Sequence, residues 1–259
     1  MISSDARASG LGDQGVATSP DAYSQHWNPA KYTFLENKSG ISVSYTPWLQ
    51  NLGVEDSFLA NLNYYNIIDN RSSWSASFKY FTLGEIDLLN DPRQTPWIAE
   101  PNFFTLDGSY SLKLNKNFSM AVSARFISSS LRDPNSSLDS ESTNTFAVDS
   151  SGVFQADMIA SNNFSGIWRA GFNISNLGPR MKYEELGRKN FIPTNFKIGS
   201  AFDFIFDTSN KVSLNLELNK LLVPSPSIPI KNSNGQIIGY NQSDAVSYTH
   251  LTLPTTPYV

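Results

Sequence analysis

The chain has 259 residues and a net charge of −4 with a pI near 5.2, which argues against nucleic acid as a partner. Charged residues make up 16% and aromatics 13%, and Ser and Asn are abundant, a mixture suited to strands with one apolar and one uncharged polar face. The absence of cysteine excludes a disulfide scaffold, a thiolate metal site and a Cys nucleophile. No run of about 18 apolar residues offers a transmembrane helix. The mean hydropathy of −0.29 does not speak against a membrane barrel, because only alternate strand residues meet lipid.

An outer-membrane protein needs an export leader, and none is read before Ser3-Ser4-Asp5-Ala6-Arg7, so the leader is expected to have been removed or the true start to be missing. Gly10-Leu11-Gly12-Asp13-Gln14-Gly15 has the dinucleotide-binding spacing, but that chemistry requires a strand before it and a helix after it. Nothing around it reads as a βαβ unit, so no cofactor is expected. Residues 1–39 are instead expected to form a lumenal hatch, with Gly10, Gly12 and Gly15 against the wall and Trp27-Asn28-Pro29 as the anchor.

From Gly40 the sequence alternates with a period of two, the mark of strands with unlike faces. Trp74, Ala76, Phe78 and Tyr80 oppose Ser73, Ser75, Ser77 and Lys79, and Phe104, Leu106, Tyr110 and Leu112 oppose Thr105, Asp107, Ser109 and Ser111. Phe118, Met120, Val122 and Phe126 oppose Ser119, Ser123 and Arg125. Trp168, Phe172 and Ile174 oppose Arg169, Asn173 and Ser175, and Val212, Leu214 and Leu216 oppose Ser213, Asn215 and Glu217. The pattern predicts about nine strands over residues 40–223, each near the 9–11 residues that cross a bilayer at a tilt. Such strands are about twice the usual length in soluble sheets, their charges fall on the polar face, and aromatics bracket their ends. The fold expected is therefore all-β, an incomplete antiparallel transmembrane β-barrel rather than a sandwich.

Connections alternate between tight turns (69–71, 115–117, 207–210) and long polar segments (83–101, 128–144, 178–192, 223 onward). Short periplasmic and long extracellular connections are the outer-membrane pattern, which places the N-terminus in the periplasm and residues 224–245 in an extracellular loop. Residues 246–259 resemble the in-frame translation of a sequencing adapter, and are expected to be a non-native tail that neither pairs with the sheet nor packs on it. Long connections on one side only suggest that this side meets partners. Trp97, Ile98, Met181, Tyr183, Ile228 and Ile230 are its candidate anchors.

Catalytic signals are sparse. His26 and His250 are the sole histidines, which leaves little from which to build a triad or a His-based metal site. His26 reads as a packing residue beside Trp27. Asp107, Asp149 and Glu217 read as lumen ion-pair partners of Arg125, Arg169 or Lys197, not as an acid–base pair.

Several motifs carry a resemblance. Asp5-Ala6-Arg7, the glycines at 10, 12 and 15, and Trp27-Asn28-Pro29-Ala30-Lys31-Tyr32 are similar to the hatch of FadL-like barrels. Ser44-Tyr45-Thr46-Pro47-Trp48-Leu49, Gly171-Phe172-Asn173-Ile174-Ser175-Asn176, Phe191-Ile192-Pro193-Thr194-Asn195 and Asn219-Lys220-Leu221-Leu222-Val223-Pro224 resemble the PorV family of the Bacteroidetes type IX secretion system. The resemblance implies an outer-membrane barrel of about fourteen strands, a closed and even-numbered one. It further implies a carrier, without cofactor or catalysis, that associates with the translocon barrel, binds cargo C-terminal signal domains and delivers them to a surface attachment complex. Two alternatives stand beside it: a FadL-like channel for hydrophobic small molecules, and a lipopolysaccharide deacylase.

Overall fold

The computed structural model describes residues 3, 5–50, 56–88, 97–130, 143–182, 189–223, 225–231, 237–243 and 247–250. Nine long strands run up and down: β1 Ser39–Pro47, β2 Phe58–Ile67, β3 Ser72–Thr82, β4 Asn102–Lys113, β5 Phe118–Ser130, β6 Thr143–Gln155, β7 Ser165–Leu177, β8 Asn195–Ile205 and β9 Lys211–Leu221. Each pairs antiparallel with its sequence neighbours in one continuous sheet. They are the strands that the two-residue period predicts.

The two faces differ as the alternation requires. Val122 is 58% exposed and Phe146 67%, whereas their neighbours Arg125 and Asp149 are buried. Leu106, Trp168 and Leu214 also point outward, and Phe104 and Phe118 lie half-buried between neighbouring side chains of the same face. Outward aromatics form two bands. Phe78, Phe104, Phe126 and Phe146 touch in succession toward the long connections, with ring centroids 5.2–6.0 Å apart. Tyr64–Trp74, Phe154–Trp168 and Phe164–Phe204 form the other band, toward the tight turns. Along β6 the bands are eight residues apart, roughly 26 Å at about 3.3 Å per residue, the scale of a bilayer's apolar layer once tilt is allowed for. No helix among the described residues is long and apolar enough to cross a membrane.

The N-terminal segment shows that the sheet is rolled with its polar face inward. Tyr23 Oη donates to the Val43 carbonyl of β1 at 2.8 Å. Ser19 Oγ donates to Asp203 of β8 at 2.9 Å and accepts from Lys211 of β9 at 3.0 Å. Four residues of chain span at most about 14 Å. Strands β1 and β9 would lie roughly 38 Å apart in a flat sheet with about 4.8 Å between strands. The same short segment also hydrogen-bonds to Ser75 of β3, Ser111 of β4, Gly152 of β6, Asn173 of β7 and Glu217 of β9, so strands across the whole sheet face it and the sheet curls around residues 5–35. No ladder joins β1 to β9 among the described residues, and the barrel is open there.

One expectation is overturned. Ser247–His250 (β10) pairs antiparallel with β9, from Lys220 opposite Ser247 to Glu217 opposite His250. The cause is the free edge of β9, whose unpaired N–H and C=O groups offer a template to any extended segment within reach. The region expected as an extracellular loop carries a hairpin of Ser225–Lys231 and Ile237–Ser243, separate from the main sheet.

Candidate functional site

The N-terminal segment fills the lumen because its own polar groups and the wall's satisfy each other. Asp5 caps helix α1 (Ala6–Gly10) by accepting from the Ala8 N–H at 2.6 Å, and its other oxygen accepts from the Trp27 indole at 2.8 Å. A turn with positive φ at Gly12 and Asp13 then leads the chain down to Gly15. The backbone N–H groups of Gly15 and Val16 both donate to Glu217 of β9, each at 2.9 Å. After helix α2 (Ser24–Trp27), Asn28 caps a 3-10 turn, Pro29–Phe34, and its amide also donates to the carbonyls of Val16 and Gly152. Ser111 of β4 donates to the Pro29 carbonyl at 2.9 Å, and Asn173 of β7 donates to that of Trp27.

Close approach makes this docking possible. A Cβ on Gly15 would run into the Trp27 indole, and one on Gly171 would strike the Val16 carbonyl. Gly10 is exposed and has open space about it. Of the three glycines expected to matter, Gly12 and Gly15 therefore have a steric or conformational role, and Gly10 lies clear of the wall. Gly15 follows a five-residue helix, and among the described residues no βαβ unit comes after it, which is not the setting that the dinucleotide spacing requires.

Inward charges pair across the wall. Arg125 forks between Asp107 and Asp149, 2.9 Å from the latter, and also donates to the Asn176 side chain. Arg169 meets Asp203 at 2.6 Å, and Lys197 meets Glu217 at 3.0 Å. Arg125 and Lys197 pair with the carboxylates that the sequence suggested, whereas Arg169 takes Asp203 instead. Asn176 is a left-handed residue (φ 59°) at a β-bulge in β7, a conformation Asn tolerates better than most side chains. The bulge aims its N–H at Asp149 (2.7 Å) and its amide at the Pro193 carbonyl (3.1 Å), tying the 178–194 connection to the wall. Lys31 is sealed against the Gly15 carbonyl (2.7 Å) and Thr18 (3.1 Å), and burial lowers its pKa to about 8.

A cavity of about 360 Å³ lies at the strand ends that meet the long connections. Leu59, Phe103, Ile127, Met181, Ile192 and Pro193 form its apolar wall, and His26, Lys79, Asp107 and Arg125 its polar floor. His26 stacks edge-on against Trp27 with ring centroids 4.7 Å apart, and its Nδ1 lies 2.8 Å from Lys79 Nζ. Burial first, and then the charges of Lys79, Arg125 and Lys197, push the His26 pKa well below its ordinary value. This favours the neutral imidazole, whose Nδ1 can accept a hydrogen bond from Lys79.

The candidate anchors separate. Ile98 is 55% exposed in a short hairpin of Trp97–Ala99 with Ile86–Leu88. Met181, expected at the surface, is buried with Ala147 and Ile192 and lines the cavity. Ile228 and Ile230 lie in the Ser225–Lys231 strand, while Tyr183 and the side chains of Trp97, Ile228 and Ile230 fall outside the described residues.

A family model described as type IX secretion system protein PorV matches residues 1–228, which is most of the chain. The chain belongs to that family. No curated protein matches it. Membership accounts for the β-barrel wall and makes the chain a component of a protein secretion system, while the lumen geometry above comes from its own residues.

Sequence reasoning missed Lys79 with His26, the Glu217 clamp on Gly15 and Val16, and the cavity wall. A faint signal exists for the docking face: Ala121, Val153 and Ala201 interrupt the inward Ser, Asn and charge register. Those are the positions that pack against Ala30, Val16 and Ala17.

Proposed function

We propose that the protein is a non-enzymatic outer-membrane component of the type IX secretion system. In this reading its N-terminus and tight turns face the periplasm. Its long connections receive the C-terminal signal domains of cargo from the translocon barrel and pass them to the surface attachment complex. Residues 5–35 act as the hatch.

The observation that carries the reading is a lumen closed by that segment, with Val16, Lys31 and Tyr32 almost wholly buried beneath a cavity that faces the long connections. With the bore filled by that segment, the loop side is left for partner binding. Replacing Trp97 and Tyr183 together by alanine should leave barrel abundance unchanged and weaken pull-down of a cargo signal domain. Removing a central aromatic anchor costs about 2 kcal/mol, roughly thirtyfold in affinity. Normal capture at normal abundance would sink the reading.

A further inference from the structure

We propose that the cavity receives the C-terminal residue of a polypeptide, with its free carboxylate on Lys79 and its apolar side chain among Leu59, Phe103, Ile127 and Met181. The proposal deepens the cargo-binding reading and rests on it.

Charge singles out Lys79. Among the described residues, two cations face the cavity, and Arg125 is already engaged by Asp107 and Asp149. Lys79 has no described carboxylate within ion-pairing distance, and its partner is the His26 ring at 2.8 Å. An ammonium has three donors, and a neutral imidazole presents a single lone pair to it. A partly desolvated cation next to an open cavity is a receptor for an anion, because the anion supplies the hydrogen-bonded countercharge that the wall omits.

Shape selects the kind of anion. About 360 Å³ lies at the small end of ligand cavities, enough for one large side chain and a carboxylate but not for a folded domain. His26 on the floor packs edge-on against Trp27, whose neighbours Asn28, Lys31 and Tyr32 are buried, and the void on its far side, about 10 Å³, is too small to pass a ligand. A dead end suits a chain terminus better than a permeating molecule. Apolar residues on one wall and a cation on the floor match the two parts of a terminal residue, a side chain and a carboxylate.

The test is binding of a cargo signal domain to the full chain in detergent micelles. The domain is prepared with a free C-terminal carboxylate and, separately, as the C-terminal amide. Amidation should weaken binding about tenfold or more, on the scale of one charge-assisted hydrogen bond. Lys79→Gln should bring the free acid to the affinity of the amide and leave the amide's affinity unchanged. Equal binding of acid and amide to the unaltered protein would overturn the site while leaving cargo capture standing. Failure of both forms to bind would overturn the cargo reading as well. A Lys79→Gln protein that binds neither form has misfolded, and the acid–amide comparison on the unaltered protein then decides alone. Decanoate that binds through Lys79 without displacing the domain would assign the cavity to a free amphiphile and overturn the proposal.

Discussion

The lumen has two regions made from the same alternating strands but balanced differently. Beneath residues 13–19, the inward charges of β7–β9 are paired: Arg169 with Asp203, Lys197 with Glu217, and Glu217 also with two backbone N–H groups. Around the cavity, Lys79 leans on an imidazole and apolar side chains take over the wall. The first region commits its charges to holding a segment in place, and the second leaves one without a countercharge. Where a polar wall meets ordered backbone, desolvation is offset by hydrogen bonds, and where it meets space, it is not.

Arg125 stands on the border between the two regions, and removing it should give the largest effect. Arg125→Ala would leave Asp107 and Asp149 buried close together without their shared cation. Breaking a buried pair in this way costs about 3–5 kcal/mol. The measurement is the denaturant midpoint of the folded barrel in micelles, where a clear fall is expected. Adding Asp107→Asn and Asp149→Asn should recover most of it. A single variant with an unchanged midpoint would show that the border cluster is not what distinguishes the regions.

A smaller effect tests whether the first region is the seal. Gly171→Leu would push a side chain into the Val16 carbonyl, and Gly15→Val would do the same to the Trp27 indole. Overpacking of this kind costs about 1–3 kcal/mol, far less than the wall's own strand pairing, so the segment should shift while the barrel persists. Ion conductance through the protein in planar bilayers should rise in both variants. Conductance equal to that of the unaltered protein would mean that residues 13–19 do not close the bore.

How much of this was legible beforehand follows from which contacts are local. The outward set from Trp74 to Leu216 was readable because a strand has one period. The Asp107–Arg125 pair was readable because both residues lie equally far from the tight turn at 115–117, which fixes their register as direct partners. The Glu217 clamp on Gly15 and Val16 was not, since it joins residues more than 200 positions apart through a segment with no period. The Asn176 bulge shifts the register of β7 by an amount that alternation does not encode. The tail misled for a different reason, because a free edge accepts extended backbone whatever its origin.

The smallest expected effect distinguishes the two regions by pH. His26 lies at their junction, against Trp27 on one side and the cavity on the other, facing Lys79, Arg125 and Lys197. Docked, it stays neutral well below its ordinary pKa of 6.5. Undocked, the same ring takes up a proton near that value. Below pH 6.5 the undocked state thus binds more protons, and docking weakens as pH falls, by at most about 1.4 kcal/mol per pH unit. Above pH 7 both states are neutral at this site and no dependence is expected from it. Hydrogen exchange of the Ser24–Trp27 amides should therefore quicken between pH 6.5 and 5 beyond the intrinsic rate change. Exchange at Ser72–Thr82 in the wall should not. His26→Gln keeps an acceptor for Lys79 and cannot titrate, so it should flatten the profile. A profile unchanged by His26→Gln would assign the acid sensitivity to the carboxylates, and the junction would then belong to the fully paired region.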